Sequence, residues 1–137
     1  MKVSSAEEAA HHLRVAGVRP TRPRIEIARV LFAEPVHLSA EQIIARVTGL
    51  DAGISRATVY NSLNLFCDRG LLRELHVDAG RTVFDSNPLP HHHLFDIDSG
   101  EVTDLPCQAL PELGAAGEGL EILDVIVRVR RQQSATV

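Results

Sequence analysis

Three consecutive imidazoles, His91, His92 and His93, stand between two carboxylates, Asp85 and Asp104, and potential metal chemistry is most concentrated in this stretch of the chain. On a β-strand successive side chains alternate between faces, so His91 and His93 share one side while His92 takes the other. His91 and His93 are therefore a chelating pair. Whether Asp104 joins them depends on the intervening hairpin. A two-residue Ser99-Gly100 loop pairs Asp98 with Glu101 and sets Asp104 opposite Phe95, on the His93 face, whereas a three-residue loop turns it away. Asp85 could fold back through the segment before His91, and His37 could reach in from the helical part of the chain. Imidazoles and carboxylates without a thiolate suit Fe(II), Mn(II) or Zn(II), not a closed structural zinc site. The adjacent rings of His91, His92 and His93 could also serve as axial ligands to haem iron.

The remaining reactive residues lack such company. His11, His12 and His76 are expected at the surface. Cys67 and Cys107 form neither a disulfide framework nor a zinc-binding pair and read as free thiols. No nucleophile elbow or phosphate loop is present, which argues against an enzyme.

The 137 residues suffice for two small domains, and 45% apolar with 23% charged residues describes a globular chain. No apolar run reaches membrane-spanning length and the start is polar and acidic, so the expected location is cytoplasmic, without membrane contact. The net charge of -4 hides an asymmetry. Residues 1–86 carry 11 Lys and Arg against 10 Asp and Glu, and residues 87–137 carry 3 against 8. Arg14, Arg19, Arg22, Arg24 and Arg29 face only Glu26 in their stretch, a cluster suited to a phosphate backbone.

The elements that must position these groups follow from periodicity and caps. Ser5 with Glu8 is a capping box and predicts a helix over 5–16, closed by Gly17. A second helix runs from about Thr21 to Phe32, tolerating Pro23 in its first turn, with Ile25, Ala28, Leu31 and Phe32 inward. Its N-terminus carries the arginine run, where backbone N–H groups and side chains can meet phosphate together. His37-Leu38 leads into a third helix, capped by Ser39 with Gln42, that buries Ile43, Ile44 and Val47 and ends at Gly49. Ser55 caps a fourth, to Asp68, with Val59, Leu63 and Phe66 on one side and Arg56, Tyr60, Asn61 and Asn64 elsewhere.

Strands over 72–77 and 82–84 flank an Asp78-Ala79-Gly80-Arg81 turn. Helices followed by such a hairpin are the winged-helix plan, in which the hairpin flanks the DNA groove and the last helix enters it. The hinge is expected at about 85–90. Strands over 92–97 and 101–105, a weak helical pattern over 107–116 and an alternating strand over 120–130 complete the chain. Residues 91–131 bury too little alone, which implies pairing with a second copy. The fold class is α+β, with a winged-helix DNA-binding domain over 1–86 and a small dimerisation and sensing domain over 91–137.

Gly17-Val18-Arg19-Pro20-Thr21-Arg22-Pro23-Arg24, His37-Leu38-Ser39-Ala40-Glu41, Ala57-Thr58-Val59-Tyr60-Asn61 and Phe84-Asp85 leading to the histidine triplet together resemble the ferric uptake regulator family. The triplet, the Val77-to-Asp85 wing and the ending at 125–131 look most like its iron response regulator branch. The resemblance implies a homodimeric transcription regulator of iron homeostasis on a double-stranded operator, responsive to metal or haem. DNA contact would come from Arg19, Thr21, Arg22, Arg24, Ser55, Arg56, Thr58, Tyr60 and Asn61, with Tyr60 and Asn61 at bases, Arg19 in the minor groove and Arg24 at phosphate. His37, Asp85, His91, His93 and Asp104 match the five regulatory ligands of the peroxide-sensing branch. Asp96 and Ser99 occupy the positions of the family's first Cys-x-x-Cys pair, so no structural four-cysteine zinc is expected. The alternatives are a peroxide-sensing or Mn/Fe-dependent repressor of the same family and, from a different class, a metal-binding protein with a protein-interaction module.

Overall fold

The computed structural model describes residues 2–78, 80–89, 91–105, 117–122 and 124–132. The helical pattern expected over 107–116, and Cys107 with it, lies outside them. The chain divides into two compact units, 1–88 and 89–137.

In the first unit α1 (Ala6–Val15) begins at Ser5, whose hydroxyl accepts the N–H of Glu8. The expected capping box is only half formed, because the Glu8 carboxylate turns to the N–H and hydroxyl of Ser4. Gly17, at φ +76, closes the helix in the left-handed conformation that lets the Val18 N–H return to the Leu13 carbonyl. α2 (Arg22–Phe32) places Pro23 in the first turn and buries Ile27, Ala28, Leu31 and Phe32. Ile27 replaces the expected Ile25 at the centre of that face; Ile25 is only partly buried against the same core. His12 departs from its expected surface position. Its ring meets Phe32 edge-on at a centroid separation of 4.7 Å, and burial holds its pKa below the usual histidine value.

α3 (Ala40–Leu50) and α4 (Arg56–Asp68) follow their caps closely. Ser39 and Gln42 form the full reciprocal box, and Ser55 accepts the N–H of Thr58. Ile43, Ile44 and Val47 of α3 and Val59, Leu63 and Phe66 of α4 join α1 and α2 in one apolar core. His37-Leu38, expected only as the approach to α3, is instead a two-residue strand, β1, antiparallel to the wing. The wing is β2 (Arg73–Asp78) with β3 (Arg81–Asp85), and the sheet order is β1-β3-β2. Asp85, expected at the start of the hinge, thus ends a strand.

The second unit is built on β4 (His92–Asp96), with β5 (Val102–Leu105) antiparallel on one edge and β6 (Ile126–Val129) parallel on the other. β6 is much shorter than the strand expected over 120–130. The hairpin is wider than the two-residue loop. Phe95 pairs with Val102, the Asp96 carbonyl accepts the N–H of Gly100, and Gly100 takes φ +76 to return the chain. Asp96 secures this turn by accepting the N–H groups of Asp98 at 2.9 Å and Ser99 at 3.3 Å. Those bonds, the Asp98 one foremost, hold its carboxyl below the ordinary carboxylate range. Hydrogen bonds accepted by Asp96 therefore organise the turn in which the resemblance places a cysteine pair.

Removing the α3 cap tests the role given to local sequence signals. Ser39→Ala should lower stability by about 1 kcal/mol in urea denaturation followed by circular dichroism. An unchanged midpoint would show that tertiary packing alone sets the start of α3.

Candidate metal centre and nucleic-acid face

The first unit buries a carboxylate. Asp85 is 1% exposed at the end of β3, an environment that demands compensation for its charge. The β1–β3 register sets His37 directly opposite, and His37 Nε2 lies 3.0 Å from Asp85 Oδ2. Asp85 Oδ1 accepts the N–H of Asn87 at 2.9 Å. The pairing is tied off beyond the strand ends: the Val36 N–H donates to Ser86 Oγ and the Ser86 N–H to the Val36 carbonyl. A strand of two residues thereby becomes a fixed platform for one imidazole.

The second unit contributes three donors. His93 is fully buried and Asp104 lies opposite it in the β4–β5 register. The turn differs from the expected one by an even number of residues, so Asp104 keeps the His93 face although its partner is His93 and not Phe95. His91 Nε2 lies 2.9 Å and His93 Nε2 3.9 Å from Asp104 Oδ1. The rings of His91 and His93 are 4.3 Å apart, centroid to centroid. His91 also places Nδ1 2.6 Å from the Leu89 carbonyl, the backbone partner that orients a ligating imidazole. His92 faces away, as strand alternation requires, and its Nδ1 accepts the N–H of Val125 at 3.0 Å. Within each unit the donor atoms are close enough to converge on one ion about 2.0–2.2 Å from each. Oxygen and neutral imidazole donors fit a divalent iron, manganese or zinc ion.

Cys67 takes no part in this chemistry. It is a free, half-buried thiol, and desolvation, with Glu74 and Asp68 nearby, pushes its pKa up to about 11.

The expected DNA-contact residues lie on α2, its leading segment and α4. Arg19 and Arg22 are exposed, Arg24 is half-buried, and the Arg24 guanidinium donates to the Arg19 carbonyl at 3.1 Å. Arg22 pairs with Asp51 at 2.9 Å. On α4, Arg56, Tyr60 and Asn61 are exposed, opposite the buried Val59 and Leu63. The Ser55 and Thr58 hydroxyls are 2.8 Å apart within the cap. One residue of this face went unnoticed in the sequence: Glu41 of α3 binds both Arg56 and Tyr60. Its partners are 15 and 19 residues away on another helix, beyond the reach of any local pattern.

A family model for the ferric uptake regulators matches residues 15–128. The chain belongs to the ferric uptake regulator family. It is 36% identical over 102 residues to the ferric uptake regulation protein of Vibrio anguillarum, covering 73% of this chain and 68% of that protein. It is 33% identical over 119 residues to the peroxide-responsive repressor PerR of Staphylococcus aureus, covering 87% and 80%. Among solved structures, the ferric uptake regulator from Pseudomonas aeruginosa with manganese superposes with a TM-score of 0.69 at 28% identity, over 91% of this chain and 98% of that one. A zinc-bound manganese uptake regulator gives 0.72 at 30%, over 94% and 100%. The family is one of DNA-binding transcription regulators, and relatives named for iron, manganese and peroxide all match.

The raised Cys67 pKa implies roughly a hundredfold less thiolate at pH 8 than at an ordinary cysteine. Peptide-resolved iodoacetamide labelling of the native protein should find Cys67 correspondingly slow. Labelling at the rate of a free thiol would contradict its burial.

Proposed function

We propose that this chain is a homodimeric, metal-responsive regulator that binds operator DNA through α4 and the arginines around α2. It takes one divalent ion on His37, Asp85, His91, His93 and Asp104. The observation that carries the reading is the pair of incomplete donor sets. His37 with Asp85 in one unit is a bidentate fragment, and His91 and His93 with Asp104 in the other is a tridentate one. Both consist of nitrogen and oxygen donors. When bound, the ion supplies a double positive charge that offsets two carboxylates and links donors from both units.

The protein's own groups do the rest. Imidazoles and carboxylates bind metal only in their deprotonated forms, so metal uptake depends on pH. Asn87 and Leu89 hold Asp85 and His91 from the backbone. Because the two sets belong to different units, filling them together couples metal occupancy to the posture of the DNA-binding unit. Of the three haem candidates, His92 has its Nδ1 committed to the Val125 N–H, which leaves His91 and His93 for either a metal ion or haem. Among the described residues no helix is long and apolar enough to cross a membrane, which accords with a cytoplasmic operator-binding protein.

The iron response regulator branch remains the proposed affiliation on the strength of the histidine triplet, the wing and the ending. In that branch DNA is held when iron is scarce. Operator affinity measured by fluorescence anisotropy with chelator and with manganese(II) should therefore differ by roughly tenfold or more, and Asp104→Ala should abolish the difference. Losing a direct ligand costs at least the factor of about ten known for residues that only support ligands. Weaker binding with metal would mark the iron response branch and tighter binding the habit of an iron-dependent repressor. Equal binding in both states would overturn the metal-responsive reading.

DNA contacts are separable by residue type. Tyr60→Ala should reduce discrimination between operator and unrelated duplex by on the order of tenfold to a hundredfold, while Arg24→Ala weakens both duplexes alike and lowers the salt slope by about one. A partner protein in place of DNA would show no such steep salt dependence.

A further inference from the structure

Glu41 offers one carboxylate to two residues of the recognition helix. Arg56 grips it in a fork, Nη2 to Oε1 at 2.6 Å and Nη1 to Oε2 at 3.0 Å. The Tyr60 hydroxyl donates to the same Oε1 at 3.0 Å. All three side chains are exposed, Glu41 and Arg56 by about three fifths. An exposed ion pair contributes little to stability, so fold maintenance is a poor explanation for this arrangement. Local electrostatics explain why it forms. The first turn of α4 has no acidic residue and places Arg56 at the positive end of the helix, and Glu41 supplies the missing negative charge from α3.

The consequence falls on Tyr60. A tyrosine hydroxyl ordinarily both donates and accepts. Here its proton is committed to Glu41, which leaves only lone pairs for a base edge. Arg56 holds the Glu41 carboxyl below its ordinary range, and the bond to Glu41 raises the Tyr60 phenol, so both keep these roles near neutral pH.

We propose that Glu41 is a specificity-determining residue that makes Tyr60 an acceptor-only reader of the major groove. In that groove the available donors are the amines of adenine and cytosine, whereas guanine N7 and O6 and thymine O4 are acceptors that such a hydroxyl cannot satisfy. Every base pair presents one such amine, on one strand only, so Tyr60 selects the orientation that puts adenine or cytosine, not thymine or guanine, on the strand it faces. Glu41 acts by positioning: it sets the direction of a hydrogen bond without touching the base itself. The proposal rests on α4 being the DNA-reading helix.

The test is selection from a random duplex library by the full-length protein, with manganese(II) and separately with chelator, followed by sequencing. Wild type, Glu41→Ala, Glu41→Gln, Tyr60→Phe and the exposed control Glu34→Gln are compared, with thermal melting to confirm the fold of each. The pair read by the hydroxyl is the one whose preference changes in Tyr60→Phe. Replacing its adenine with purine or its cytosine with pyrimidin-2-one, which lack the amine, should weaken wild-type binding about tenfold and leave Tyr60→Phe binding unaffected. Glu41→Ala should relax that preference toward the reversed pair and lose the sensitivity to the amine. Glu41→Gln, which still offers an acceptor oxygen, should keep most of it, and Glu34→Gln should keep all of it. Unchanged base preferences in Glu41→Ala or Tyr60→Phe, or equal relaxation in Glu41→Ala and Glu41→Gln, would overturn the proposal. If Glu41→Ala did not fold, wild-type binding indifferent to removal of that amine would overturn it equally. Failure of the wild type to enrich any sequence in either metal state would instead overturn the DNA-binding reading on which it rests.

Discussion

A buried carboxylate constrains the whole first unit. Asp85 ends the wing almost without solvent, and burying an anion is tolerable only where partners replace its hydration. Those partners exist because β1, two residues long, adds to the wing in a register that sets His37 against it. The same register leads directly into the Ser39 cap and α3, whose Glu41 in turn holds Arg56 and Tyr60 of α4. One short antiparallel pairing therefore connects the His37–Asp85 pair, a helix start and the exposed face of α4.

The second unit achieves its donor geometry differently. Strand alternation puts His93 and Phe95 inward, and cross-strand pairing supplies Asp104 opposite His93. A single-residue slip would send Asp104 to the other face. The Asp96 turn guards against such a slip by fixing how the hairpin closes, with Gly100 supplying the left-handed conformation. The parallel addition of β6 brings the Val125 N–H to His92 and so separates the middle histidine of the triplet from its neighbours in chemistry as well as direction.

Much of this was legible in the sequence, and the misses share a cause. Ser39, Gln42 and Ser55 announced α3 and α4 because capping is local, and the apolar spacing of Ile43, Ile44, Val47, Val59, Leu63 and Phe66 marked the core. The alternation of His91, His92 and His93 is a property of any strand. β1 was invisible because two residues carry no periodicity and its existence depends on a partner some fifty residues away. The width of the 97–100 turn was misjudged because Ser-Gly resembles a tight-loop pair, while the Asp96 side chain determines the actual closure. The Asp104 face survived that error only because the shift was even. The Glu41 contacts depend on how α3 and α4 pack, which no pattern within either helix records.

We propose that His37, Asp85, His91, His93 and Asp104 take one ion. Elemental analysis combined with X-ray absorption spectroscopy of untagged protein loaded with zinc or manganese tests it most directly. The expected result is one ion per chain in a shell of nitrogen and oxygen that includes three imidazoles and loses one of them in His37→Ala. Two ions per chain, or a shell that His37→Ala leaves unchanged, would contradict it.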